Sequence, residues 1–380
     1  MKDLGAIILA AGESSRMGRC KALLPLGGRT VLEHEVALFR EVGIERICVV
    51  TGFHGECIRP LLDGLGVVEA CNPHPEEGMF ASVCTGIRAL AKECAGMFLL
   101  PVDIPLVRSC TLRLAAQTWR ENDTSVVIPY CGKQSGHPPL VPSSWAADIL
   151  GWTGDKGLHG LFRSVAHGII PVQVPDEHML MDMNTPDAYE RILAAWQRFG
   201  VPSRKECLVV MEDVHPIPEH IRAHSIMVAA LARAMGEHLN QHGGAFDPDL
   251  LEAAGLLHDI ARLERHHGPR GAEILDAMGL SQVARVIAPH SDMHVPDGAP
   301  ITHQEIIFLA DKYFKGDRPV SLAVRYGAKM EQYGINAKAR AHVKERLDHA
   351  LHAEARFQER TGIVLEALAN QVSGNSLCPE

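Results

Sequence analysis

The sequence predicts a mostly parallel α/β domain followed by an all-α domain, and three observations carry that expectation. The apolar runs ICVV, GVVEA, MFLLPV and SVVIP alternate with amphipathic helical segments, the pattern of a parallel sheet covered on both faces. Beyond about residue 200 this pattern stops, and apolar residues recur at helical spacing, as in Ile226, Ala229, Ala230, Ala232 and Ala234. The histidines are also unevenly placed: 14 of 21 lie after residue 200, and 11 of those fall between His215 and His303. Histidine is the commonest ligand of transition metals, so the helical half is expected to hold a metal site.

A chain of 380 residues exceeds the usual size of one domain. The boundary is expected at Gly200, where Pro202, Ser203 and Lys205 punctuate the chain, giving domains over residues 1–199 and 204–370. No apolar run of about 18 residues exists to span a bilayer. Met1-Lys2-Asp3 leads directly into the first strand, so no export is expected and the protein is placed in the cytoplasm. The ten cysteines form no C-x-x-C pair, which argues for reduced thiols over a zinc knuckle. A net charge of −9 opposes nucleic acid as a partner and leaves small phosphorylated ligands open. The tail after Gln371 is expected to fray.

In chain order, Ile7, Ile8 and Leu9 end a buried strand, and the small residues Ala10, Ala11 and Gly12 leave room for a ligand against the backbone. Arg16 and Lys21 then supply two cations on a loop whose amides can face an anion. The spacing matches neither the P-loop nor the three-glycine dinucleotide pattern. Thr30 is placed to cap a helix reaching about Val42, with Val31, Leu32, Val36, Leu38 and Phe39 as its apolar face. Residues 72–81 follow a strand and lead into an amphipathic helix carrying Val83, Ile87 and Leu90, where Ser82 can donate or accept. Asp103 stands directly after the strand MFLLPV, a poor place for packing and a good one for a Mg²⁺ ligand. Asp182 is expected to complete that site, with Asn184 as the alternative.

The string L-A-A-G-x-S-x-R-M-G-x-x-K resembles the signature of nucleotidyltransferases with a glycosyltransferase-A-like fold. That resemblance implies a Rossmann-like nucleotidyltransferase domain in which Leu9, Ala10, Ala11, Gly12, Arg16, Lys21, Ser82 and Asp103 bind nucleotide, and Lys21, Arg16 and Asp103 carry catalysis. Ala11-Gly12, where guanylyl-transferring enzymes usually have Gly-Gly, resembles the cytidylyl branch. The segments Gly78 to Val83, Gly136-His137-Pro138-Pro139-Leu140 and Gly154-Asp155-Lys156-Gly157 resemble, in order, elements of the molybdenum cofactor cytidylyltransferases, with Ala81 in place of the first usual serine. This implies His137 at the acceptor and CTP with Mg²⁺ and a phosphorylated pterin as substrates. A sugar phosphate or another phosphorylated alcohol is the alternative acceptor.

In the second half, His224, the pair His258-Asp259, and Asp311 each lie within an apolar helical stretch, where ionisable groups need a partner such as a cation. Together they resemble the H…HD…D set of the HD phosphohydrolases. His267 in HGPRGAEIL and His290 in VIAPHSD resemble the extra histidines of members that hold two metals. The resemblance implies one or two divalent ions, such as Fe, Mn or Zn, and phosphoester hydrolysis. His220, His266 and His294 fit the motif less well. The reading is a fused enzyme with small-molecule nucleotide and acceptor partners. A nucleotide-sensing protein with an inactive domain is the alternative from another class.

Overall fold

A computed structural model describes residues 1–165, 168–294, 298–332 and 336–375. The chain forms two compact units, residues 1–199 and 200–380. The first begins with β1 (Leu4–Ala10), whose seven residues are all buried, so it can lie only in the middle of a sheet covered on both faces. After the loop that follows β1 come the short hairpin β2 (Pro25–Leu26) and β3 (Arg29–Thr30), then α1 (Val31–Glu41), β4 (Arg46–Thr51), α2 (Gly55–Leu65), β5 (Val68–Cys71) and α3 (Met79–Leu90). The unit continues through β6 (Gly96–Pro101), α4 (Ser109–Glu121), β7 (Val126–Cys131), β8 (Gln134–Ser135) and β9 (Leu140–Pro142). It ends with α5 (Ala146–Gly151), α6 (Gly157–Ser164), β10 (Ile169–Gln173) and α7 (Pro186–Gln197).

The strand order is β10-β7-β9-β6-β1-β4-β5, with β8 paired to β7. All pairings along this path are parallel except those of β9, which runs antiparallel to both β6 and β7. The sheet is thus mostly parallel, as the sequence predicts. Register fixes the site: Ala10 pairs with Thr51 and Leu9 with Pro101, so the loop after β1 and the residues after β6 leave the sheet side by side. Val102 donates its amide to the Leu9 carbonyl at 3.1 Å, which carries this pairing one residue further and delivers Asp103 to the loop. On the adjacent face α3 lies flush against β1. A Cβ on Gly86 would stand 2.3 Å from the Ile7 Cγ2.

Helix α1 starts where Thr30 was expected to cap it, with a full capping box: the Thr30 hydroxyl accepts from Glu33 N, and Glu33 accepts from Thr30 N at 2.6 Å. Its buried face differs from the expectation at two positions. Leu38 is only half-buried, and Glu35 is fully buried with both carboxyl oxygens unpartnered among the described residues.

In the second unit, Ser203 opens α8 (Arg204–Val209) with another capping box, closed by Glu206, and a π turn, Val210–Val214, follows. Then come α9 (Glu219–Gln241), α10 (Pro248–Leu257), α11 (His267–Ala277), α12 (Ser281–Ile287), α13 (His303–Lys312), α14 (Leu322–Gln332), α15 (Ala337–Thr361) and α16 (Leu365–Asn375). One correction to the all-α expectation is a two-residue antiparallel hairpin, β11 (Phe314–Lys315) with β12 (Arg318–Pro319), between α13 and α14. Another concerns the tail: α16 continues past Gln371 to Asn375, and residues 376–380 lie outside the described residues. Helices α9 and α10 cross closely because a Cβ on Gly255 would come within 2.4 Å of the Ala229 Cα. That crossing brings the His224 helix against the helix that ends at His258. No described helix is long and apolar enough to cross a membrane.

Candidate active sites

The loop after β1 turns on Ser14, at φ 57°, whose carbonyl accepts from Met17 N at 2.9 Å and Gly18 N at 3.0 Å. The turn returns the chain to Lys21, which begins a short 3₁₀ segment, Lys21–Leu23. The Lys21 ammonium donates to Asp103 Oδ2 at 3.0 Å and to Asn184 Oδ1 at 2.6 Å. Asn184 arrives there because Met183 donates its amide to the Asp103 carbonyl at 2.9 Å. Asp182, the sequence's first choice, is exposed and takes no part in this cluster; Asn184, its alternative, does. Arg16 is exposed on the loop and does not line the adjoining cavity.

That cavity, of about 220 Å³, is walled by Leu9, Ala10, Ala11, Gly12, Lys21, Ser82 and Asp103. A Cβ on Gly12 would meet nothing within 4 Å, so the space beside this backbone is open to a ligand. Ser82 is buried and its hydroxyl accepts from Asn72 Nδ2 at 3.0 Å. Leu9, Met79 and Pro101 also line a second cavity of about 500 Å³. Around it stand Phe80, Phe162, His137, Lys156 and His159. The His137 Nδ1 is buried without a hydrogen-bond partner among the described residues, and burial pushes the ring's pKa below its ordinary value, so the ring is neutral at pH 7. The two cavities together can take a polyphosphate beside a flat organic group.

In the second unit, His224, His258, Asp259, His267, His290 and Asp311 converge. His224 Nε2 lies 3.1 Å from Asp311 Oδ1, and His258 Nε2 lies 3.5 Å from Asp259 Oδ2. His267 Nε2 and His290 Nε2 approach Asp259 Oδ1 at 3.3 and 3.5 Å. A Cβ on Gly268 would sit 2.7 Å from the Ala288 carbonyl, so the His-Gly dipeptide is what lets α11 come this near His290.

Three rings are fixed from behind. Nδ1 of His224 donates to Gly316 O at 3.1 Å, that of His258 to Gly255 O at 2.8 Å, and that of His290 to Ile287 O at 2.7 Å. Because a carbonyl only accepts, these bonds place the ring proton on Nδ1 and turn each Nε2 lone pair inward. The His258 Nε2 is buried with no hydrogen-bond partner among the described residues, and the Nε2 atoms of His267 and His290 are 3.2 Å apart. Inward lone pairs at these separations, with two carboxylates among them, are a donor set for cations. His224, His258 and Asp311 form one group whose ligand atoms fall within 4.8 Å of one another, and His258, Asp259 and His290 form another. Two groups sharing His258 fit a one- or two-ion centre.

Burial lowers the His258 pKa to about 4, so its contact with Asp259 joins a neutral ring and a carboxylate. Burial would raise Asp311, but Lys312 and Arg325 outweigh it and hold that carboxyl well below the usual range. The Lys312 ammonium donates to Asp311 Oδ2 at 2.6 Å, and Arg325 reaches Oδ1 at 3.4 Å. Arg262 stands 3.4 Å from Asp259 Oδ1. Arg262 and Arg325 were not foreseen, since an arginine in a polar helix face or loop carries no local mark of its target. His266 is exposed, His220 stands at the mouth of a cavity, and His294 pairs with His349 at 3.3 Å outside the cluster.

Both units resemble known proteins. Residues 6–169 match the MobA-like NTP transferase domain and residues 221–315 match the HD domain. The chain is 31% identical over 207 residues to a probable molybdenum cofactor guanylyltransferase of Carboxydothermus hydrogenoformans, covering 51% of this chain and 96% of the relative. It is 28% identical over 190 residues to a molybdenum cofactor guanylyltransferase of Xanthomonas euvesicatoria, covering 49% and 93%. A molybdenum cofactor cytidylyltransferase of Escherichia coli is 25% identical over 190 residues, covering 50% and 95%.

Proposed function

The chain belongs to the MobA-like NTP transferase family and carries an HD domain behind it, and from that premise we propose that it transfers a cytidylyl group from CTP to a phosphorylated pterin. The observation that carries this is the Lys21–Asp103–Asn184 cluster at the strand ends, opening onto a cavity that continues to His137. The acceptor phosphate oxygen attacks the α-phosphorus in line; that bond forms as the bond to the bridging oxygen breaks, and pyrophosphate leaves. Lys21 offers its ammonium to the oxygens where charge develops, and the loop amides hold the remaining phosphates. The aromatic walls of the larger cavity, Phe80 and Phe162, keep the pterin ring oriented and dry. Asp103, with Asn184 beside it, would hold Mg²⁺, which when bound supplies charge compensation for the triphosphate.

The HD cluster is read as a phosphohydrolase centre: a water oxygen bonds to phosphorus, the ester P–O bond breaks, and the departing oxygen gains a proton. His224, His258, Asp259, His267, His290 and Asp311 would hold the divalent ions, which when bound supply a Lewis acid and a more acidic water. Lys312 and Arg325 keep Asp311 ionised and oriented.

Purified protein incubated with each NTP and a pterin phosphate, with products read by mass spectrometry, tests the first reading. A cytidylylated pterin and pyrophosphate are expected. A guanylylated product alone would replace CTP by GTP, the second reading, which the 31% identical relative favours. Absence of product from every NTP would remove both.

A further inference from the structure

Beside the HD cluster lies a cavity of about 550 Å³ bounded by the start of α9, residues 259–263, the β11 hairpin and one face of α14. Arg262, Lys315, Arg325 and Lys329 line it, whereas Asp259, already among the candidate metal ligands, is the one carboxylate in the lining among the described residues. The lining also has apolar members, with Ile221 and Phe314 buried inside and Leu263 and Val324 at the rim, where they remain 79% and 63% exposed. Two large apolar side chains left this open at the mouth of a cationic cavity suit an organic body that carries anions inward.

Lys329 is the informative member. Spacing of four along α14 puts it on the same face as Arg325. It is half-buried, and among the described residues its ammonium has no carboxylate or hydrogen-bond partner, only the Tyr326 ring at 5.6 Å. Burial, with Arg325, Lys312 and Arg346 adding like charge, pulls its pKa down to about 8. An ammonium half-withdrawn from water among other cations is a cost to the fold, and an incoming anion would relieve it.

We propose that this cavity is the substrate pocket of the HD site and that it selects phosphoesters bearing a second phosphate beyond the scissile one, received by Lys329 with Arg325 behind it. The apolar body between the two phosphates rests on Leu263 and Val324. This inference rests on the phosphohydrolase reading, in which water adds to the phosphorus at the metal cluster, the ester P–O bond breaks, and the leaving oxygen takes the proton. The second phosphate is bound and not cleaved in that step.

Hydroquinone monophosphate and hydroquinone bisphosphate are suitable probes, because they share one ring, differ by one phosphate and are not nucleotides that would occupy the first unit. Calorimetric binding is measured on the full chain without added metal, and hydrolysis is measured separately with divalent ions. Lys329→Met should weaken bisphosphate binding at least about ten-fold, the loss expected for one charge-assisted contact, and leave monophosphate binding within about two-fold. Lys329→Arg should retain the preference. In hydrolysis the loss should fall on KM for the bisphosphate and spare kcat. Thermal unfolding of Lys329→Met should be unchanged or raised, because a desolvated charge has been removed. Bisphosphate binding in Lys329→Met equal to the parent's, or equal weakening of both probes, overturns the inference. A chain that binds the bisphosphate through Lys329 yet cleaves neither ester with any divalent ion defeats the phosphohydrolase reading and leaves the anion pocket standing.

Discussion

At the scale of single residues, the two candidate sites rest on polar groups with different histories. Lys21 touches both Asp103 and Asn184, so Asn184→Ala should reduce nucleotidyl transfer while Asp182→Ala, an exposed change, should alter it little. Asp103→Ala should lower kcat by about a hundred-fold or more, as removal of an electrostatic stabiliser does. Steady-state kinetics of the three variants decides. A larger effect from Asp182 than from Asn184 would mean that substrate rearranges this loop. Glu35 gives a prediction of a different kind. Burial, with Asp103 adding repulsion, raises its carboxyl well above the ordinary value of 4.5. An acid whose folded pKa is raised contributes fully only below its unfolded pKa, and stability is lost as pH rises toward the folded value. Glu35→Leu should therefore stabilise the protein, by about 1–3 kcal/mol for an unpartnered buried group, and more at about pH 8 than at about pH 5. Thermal unfolding at the two pH values measures this, and a gain that shrinks with pH would contradict the neutral buried acid.

At the scale of elements, the candidate metal cluster depends on how closely two helices cross. His224 sits on α9 and His258 at the end of α10, and the crossing is set by Gly255 against Ala229. Gly255→Ala should push the helices apart, costing about 1–3 kcal/mol, and should weaken metal binding in the same variant. Unfolding together with elemental analysis tests both. Metal retained at full stoichiometry in a destabilised variant would show that the ligands do not depend on this contact. His258→Ala should lose metal while the exposed His242→Ala keeps it. His349 is unsuitable as that control because it packs on His294.

For the molecule as a whole, the two units have separate candidate chemistries on separate cores. Asp103→Ala is accordingly expected to abolish transfer and leave phosphoester hydrolysis within about two-fold, and His258→Ala to do the reverse. Product assays on the full chain measure both activities in each variant, and loss of both from one substitution would show that they are coupled.

The sequence by itself determined the α/β and helical halves, because periodicity and turn residues are local. It also determined the residues that carry short motifs: Lys21, Asp103, His258-Asp259 and Asp311 stand where strand ends and apolar helices leave a charged group little structural purpose. Tertiary structure alone decided which groups meet. Asn184 reaches Lys21 through a backbone bond to a residue some eighty positions earlier, and Arg325 reaches Asp311 from the next helix. The burial of Glu35, and the lack of a partner for Lys329 among the described residues, depend on what other elements place around them. Desolvation and pairing belong to the assembled neighbourhood, and no local pattern of residues encodes them.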